Sequence, residues 1–236
     1  MNVPLPPQIH ALLAELKRAL AAKDRESTSR TTTSLLEQRA PLGPQWRALA
    51  ELMRVSGELT LANRCMDAFV LASGGAAQAK YAKVVLLTQS SRIPEAYDLL
   101  ASLPEDVPDR AGHAYVLGNI AMTLGNTDKA RAHLDAALKH RPGWGPAWLT
   151  LATMINFAKD ELGNRMLKEK AAAEKQGPAD LARYYYALGK LHADRKEHQA
   201  SFEAFARGAN LLRGETPYSR KGNESNAMQA MTGYPA

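Results

Sequence analysis

The sequence predicts an all-α solenoid of five or six stacked helix pairs. Residues of matching size recur every 34 positions, the apolar side chains inside each period fall on helical spacing, and the apolar–polar alternation of half-buried strands is missing. Thirty-four residues back from the segment 113–142, Gly118 maps onto Val84 and then Ala50, Ala130 onto Ala96 and Ala62, and Leu134 onto Leu100 and Met66. In the forward direction Ala114 maps onto Trp148 and Leu117 onto Leu151. Small residues meet small ones and large apolar residues meet large ones, without a gap, over three periods.

Each period reads as two helices. Trp148, Leu151, Ala152 and Ile155 stand at i, i+3, i+4 and i+7, the stripe of one amphipathic helix. Gly125-Asn126 breaks the chain, because glycine suits the left-handed turn after a helix and asparagine tolerates it. Thr127 and Asp128 then offer oxygens to the bare amides of the next helix. That second helix runs over Ala130, Leu134 and Ala137 and stops at Pro142.

A 34-residue helix–turn–helix with this pattern resembles the tetratricopeptide repeat. The resemblance implies a right-handed solenoid in which small residues let paired helices approach and large ones fill the space between them. Its frame places helix pairs at about 43–76, 77–110, 111–144, 145–181 and 182–215. Residues 9–42 look like a degenerate first pair, with Leu12, Leu16 and Ala19 in place and a Thr-rich second half at Thr31-Thr32-Thr33. Residues 1–8 and 216–236 read as flexible ends. The pattern is broken by Lys80 and Lys83 at apolar positions of the second full pair, and by Asn164 and Lys168 in the fourth.

A narrower resemblance covers Tyr184–Arg213. The run Tyr-Tyr-Tyr-Ala-Leu-Gly-Lys at 184–190, followed by Ser-Phe-Glu-Ala-Phe-Ala-Arg-Gly-Ala-Asn at 201–210, is similar to the last repeat of bacterial tetratricopeptide–sulfotransferase proteins. The likeness implies an arm that presents an acceptor to a catalytic domain. The Pro-Arg-Ser-Gly-Thr-Thr-like donor loop of that domain occurs nowhere in these 236 residues.

Composition narrows the function classes. Thirty Lys+Arg against 24 Asp+Glu give a net charge of +6, and the excess lies mostly after residue 110. There the cations Lys168, Lys170, Lys175, Arg195, Lys196, Arg207 and Arg213 alternate with Glu169, Glu174, Glu197 and Glu203, as on solvated helix faces. No compact basic patch with interleaved aromatics is visible, so nucleic acid is not expected as a partner. No window approaches a membrane span and no signal peptide is readable, so a cytoplasmic protein that does not enter a membrane is expected. The one cysteine, Cys65, fits a reducing compartment and reads as a small buried hydrophobe. His192 falls at a packed repeat position and reads as a core histidine. His-Glu-x-x-His, Cys-x-x-Cys and phosphate-loop patterns are missing, so no metal or cofactor is expected. No nucleophile, base and orienting group can be assembled, and the chain reads as non-catalytic.

Binding is the remaining class, since stacked helix pairs bind along the groove lined by their first helices. By its resemblance to the family, the lining falls on Arg47, Glu51 and Arg54, then Tyr81 and Gln89, then Tyr115 and Asn119, then Asn156, and finally Tyr186 and Lys190. Repeated tyrosines contact apolar groups while still donating hydrogen bonds, and the amides of Gln89, Asn119 and Asn156 match the backbone of an extended segment. The family's carboxylate clamp, with Lys and Asn at fixed groove positions, is replaced here by Arg47 with Glu51 and Tyr81 with Val85. The expected partner is a protein or peptide segment. Leu211-Leu212 after the last pair offers a second possibility, a homo-oligomer formed by end stacking.

Overall fold

Pro7 opens the first helix without losing a needed donor, and from there every regular element among the described residues is helical. The computed structural model describes residues 5–213 and 219–232. They form two compact units that divide between Ala137 and Leu138.

The first unit contains α1 (Pro7–Ala21), α2 (Arg25–Glu37), α3 (Gln45–Val55), α4 (Leu59–Ala72), α5 (Ala77–Gln89), α6 (Ile93–Ala101), α7 (Arg110–Thr123) and most of α8 (Thr127–His140). Helices pack in the pairs α1/α2, α3/α4 and α5/α6, with α4 against α5 and α6 against α7. The tight turns within these pairs, and between α7 and α8, each hold a residue of positive φ: Lys23, Gly57, Ser91 and Gly125. Small residues set the spacing. Ala50, Ala62, Ala96 and Ala130 are fully buried, and a Cβ on Gly118 would sit 2.8 Å from Cγ of Leu134. Leu35, Met53, Leu87, Leu100 and Leu134 fill the space between helices.

The Thr-rich α2 is helical, and several of its hydroxyls are tied to the helix itself, although Ser29 Oγ and Thr31 Oγ1 are buried without a partner. Thr28 Oγ1 donates to Asp24 O at 2.6 Å and Thr32 Oγ1 to Thr28 O at 2.8 Å, so buried threonines stand where apolar residues were expected. Lys83, at an expected apolar position, lies half-buried and its ammonium pairs with Asp67, tying α5 to α4. The first-turn oxygen of α8 comes from Asn126, which accepts from Lys129 N at 3.1 Å.

The second unit contains the end of α8, α9 (Gly145–Met154), α10 (Leu162–Lys168), α11 (Lys170–Ala173), α12 (Pro178–Asp194), α13 (His198–Leu212) and α14 (Arg220–Thr232). α12 packs against both α9 and α13. A Cβ on Gly189 would lie 2.8 Å from the Phe205 ring, so α12 and α13 approach through a glycine.

Residues 145–181 depart from a regular pair. α9 stops at Met154, Ile155 is extended, and a loop delivers the chain to two short helices, α10 and α11. Ile155 therefore does not extend the α9 stripe. Phe157 is buried and its N–H donates to Asp194 Oδ2 at 2.9 Å, while Asn164 spends its Oδ1 on Arg195 Nη2 at 2.8 Å. The expectation of a flexible end at 216–236 falls outside the described residues at 216–218 and 233–236; between them the chain forms α14.

Candidate functional site

The groove pattern leads to a cleft of about 420 Å³ in the first unit. Arg47 and Glu51, one turn apart on α3, face Gln78, Tyr81 and Gln89 of α5 across it. Met66 of α4 and Leu86 of α5 supply apolar surface to its lining. The cleft thus combines an apolar base with a cation, a carboxylate, a phenol and two amides.

The charges are arranged. Arg54, one turn beyond Glu51, donates through Nε to Glu51 Oε2 at 2.8 Å and through Nη2 to Oε1 at 2.6 Å. That two-pronged bond holds the Glu51 carboxyl below the usual carboxylate range and raises the guanidinium of Arg54. Arg47 is exposed and makes no ion pair among the described residues. Tyr81 is half-buried, and burial first, then the Asp109 carboxylate, raises its phenol. It stays a neutral donor at all physiological pH values.

Of the sequence-predicted groove residues, Arg47, Glu51, Tyr81 and Gln89 line this cleft. Arg54 orders Glu51 from beside it. Tyr115 and Asn119 lie half-buried on α7, outside the cleft lining. The other three are placed differently. Asn156 lies in the loop after α9, where its Oδ1 accepts from Ala158 N at 3.0 Å, so it presents no helical groove face. Tyr186 leans on α13, its ring centroid 6.4 Å from that of Phe205. Lys190 is committed to Asp194, with Nζ 2.6 Å from Oδ2, and so supports the loop that Asp194 also holds. Gln78 was readable from the groove frame and was not singled out; Met66 and Leu86 carry no signal beyond that of core residues.

The remaining candidates are packed. Cys65 is fully buried and burial pushes its thiol up to about 12. His192 is half-buried with Nδ1 2.5 Å from Glu197 Oε2. Among the described residues, no group of His, Cys, Asp and Glu is placed to hold a metal ion, and no helix is long and apolar enough to cross a membrane.

Comparison with known proteins bears on the repeat. Residues 111–154 match the family model of the tetratricopeptide repeat. No curated protein matches the chain in sequence. Among solved structures, BtubC from P. vanneervenii is similar over 90% of this chain and 92% of its own, with 15% identity and a TM-score of 0.58. PilF of Pseudomonas aeruginosa is similar over 94% of this chain and 100% of its own, with 18% identity and a TM-score of 0.54. MamA of Desulfovibrio magneticus RS-1, from residue 41 to its end, covers 72% of this chain and 94% of its own at 16% identity and a TM-score of 0.51. At these identities the likeness is one of fold alone, an all-helical one.

Proposed function

We propose that this tetratricopeptide chain is a non-catalytic scaffold whose α3/α5 cleft holds an extended protein or peptide segment. The convergence of Arg47, Glu51, Tyr81 and Gln89 over Met66 and Leu86 supports this reading. An extended backbone offers paired donors and acceptors to the Gln78 and Gln89 amides, an apolar side chain finds the base, and an acidic one finds Arg47. A photo-crosslinking residue at Gln78 tests it in cells. Tyr81→Ala and Arg47→Ala are each expected to abolish the crosslinked partner; the same crosslink surviving both changes refutes the reading.

A second reading, self-association, has one observation in its favour. Phe202 on α13 is 69% exposed beside Ala206 and Leu211, whereas Leu211 and Leu212 are both half-buried. Under this reading Phe202→Ser converts a dimer to a monomer in sedimentation, and no change in mass refutes it. The narrower role, an arm serving a sulfotransferase domain, is supported by the Tyr184–Arg213 likeness alone. The size of the native protein separates it from a free-standing scaffold.

A further inference from the structure

Trp46 floors a second cleft in the first unit, formed by α2, α3, α4 and the α2–α3 connection, with a volume of about 670 Å³. Its lining is mostly apolar. Leu36, Ala40 and Ala68 wall it, and Leu71 stands at its edge, 80% exposed. Trp46 brings no free polar atom, because its Nε1 donates to Ala40 O at 3.2 Å. One charged residue belongs to the lining. Arg39 is exposed and makes no ion pair among the described residues. An uncompensated guanidinium beside so large an aliphatic surface is complementary to a ligand with an apolar body and a single anionic head.

We propose that this cleft binds a medium-chain aliphatic carboxylate, its alkyl chain on Trp46, Ala68 and Leu71 and its carboxylate on Arg39. The volume lies inside the roughly 300–1,000 Å³ range of small-molecule sites, which accommodates a chain of about ten carbons. The head group sets the specificity: a carboxylate receives two parallel N–H donors from a guanidinium, which an alcohol of equal length cannot match. The site is separate from the α3/α5 cleft, and its occupancy does not depend on the peptide reading.

The full chain is titrated with 10-bromodecanoate below its micelle concentration, the bromine quenching nearby tryptophan emission, with decanoate, octanoate and decanol as competitors. Quenching is expected to disappear in Trp46→Phe while Trp144 and Trp148 continue to emit. Decanoate should bind about fifteenfold more tightly than octanoate, since each of its two extra methylenes is worth about fourfold when buried. Arg39→Gln should weaken decanoate at least fivefold and leave decanol unchanged. Leu71→Glu, at an exposed position that leaves the far-ultraviolet spectrum intact, should abolish binding by setting a hydrated charge against the alkyl chain, so that a folding defect in Trp46→Phe does not decide the outcome. Quenching that ignores Leu71→Glu overturns the assignment. So does decanol binding as well as decanoate, which would make the cleft an unselective hollow for any hydrophobic side chain of a protein partner.

Discussion

Gly145, the first residue of α9, lies against the carbonyl of Asp180 on α12 so closely that a Cβ there would stand 1.8 Å from the oxygen. The same added atom would meet Tyr184 N at 2.7 Å. Both neighbours are backbone, so neither can swing aside. Gly145→Ala must push α9 from α12 or unwind an end of one of them. The expected loss is roughly 3 kcal/mol, the upper part of the overpacking range, read as a lowered urea midpoint. A midpoint within experimental error of the wild type contradicts this helix crossing.

Glu169 joins α9, α10 and the turn before α9 through one carboxylate. Its Oε2 accepts from Gly143 N at 2.7 Å and Trp148 Nε1 at 2.9 Å, and its Oε1 from Arg165 Nε at 2.7 Å. Trp148 is fully buried, so removal of the acceptor strands its indole N–H away from water. Glu169→Ala is expected to cost about 2–3 kcal/mol, in line with an unmet buried donor and a lost charge-assisted bond. The check is chemical denaturation, with Trp148 emission as the local reporter.

The helix pairs were legible because packing leaves a size code: Ala62, Ala96 and Ala130 repeat at 34 and are all fully buried. Glu169 and Asp180 were not legible, since a carboxylate that accepts from a buried tryptophan looks in sequence like any solvated helix charge. The fourth pair failed for a related reason. Asn164 and Lys168 signalled a weak second helix, and what replaces its packing is a set of polar ties running 26 to 37 residues along the chain, such as Phe157 N to Asp194 and Trp144 Nε1 to Asp180. The groove frame brought Arg47, Glu51, Tyr81 and Gln89 to one cleft, where α3 and α5 are regular, and misplaced Asn156, where α9 had already ended.

Asp194 is the lock on that loop. It accepts Phe157 N at 2.9 Å and holds Lys190 Nζ at 2.6 Å. Asp194→Ala frees the Phe157 amide and leaves Lys190 without its partner, so residues 155–161 should open far more often than in the wild type. Limited proteolysis is expected to cut there, at Lys159, at least tenfold faster, with global stability lowered by about 1–2 kcal/mol. Unchanged cleavage at Lys159 would show that the buried Phe157 ring alone holds the loop.

Cys65 sits in the packed face of α4 with its thiol pushed by burial from 9.0 to about 12. Because the folded chain raises this acid's pKa, the native state favours the neutral thiol, and its contribution is complete below about pH 9. Above that, the unfolded chain ionises while the native one does not, so stability drains away as pH rises from 9 towards 12. The slope is up to about 1.4 kcal/mol per pH unit from this group. Tyr184 and Tyr185, also raised chiefly by burial, act in the same window, so the difference between wild type and Cys65→Ala isolates the thiol. Cys65→Ala should be less stable at pH 7, from the lost packing, and should close that gap steadily above pH 9. At pH 8 the native thiol should react with a disulfide reagent only as fast as the chain opens. A pH-independent gap, together with rapid labelling of the native protein, would place Cys65 in contact with solvent.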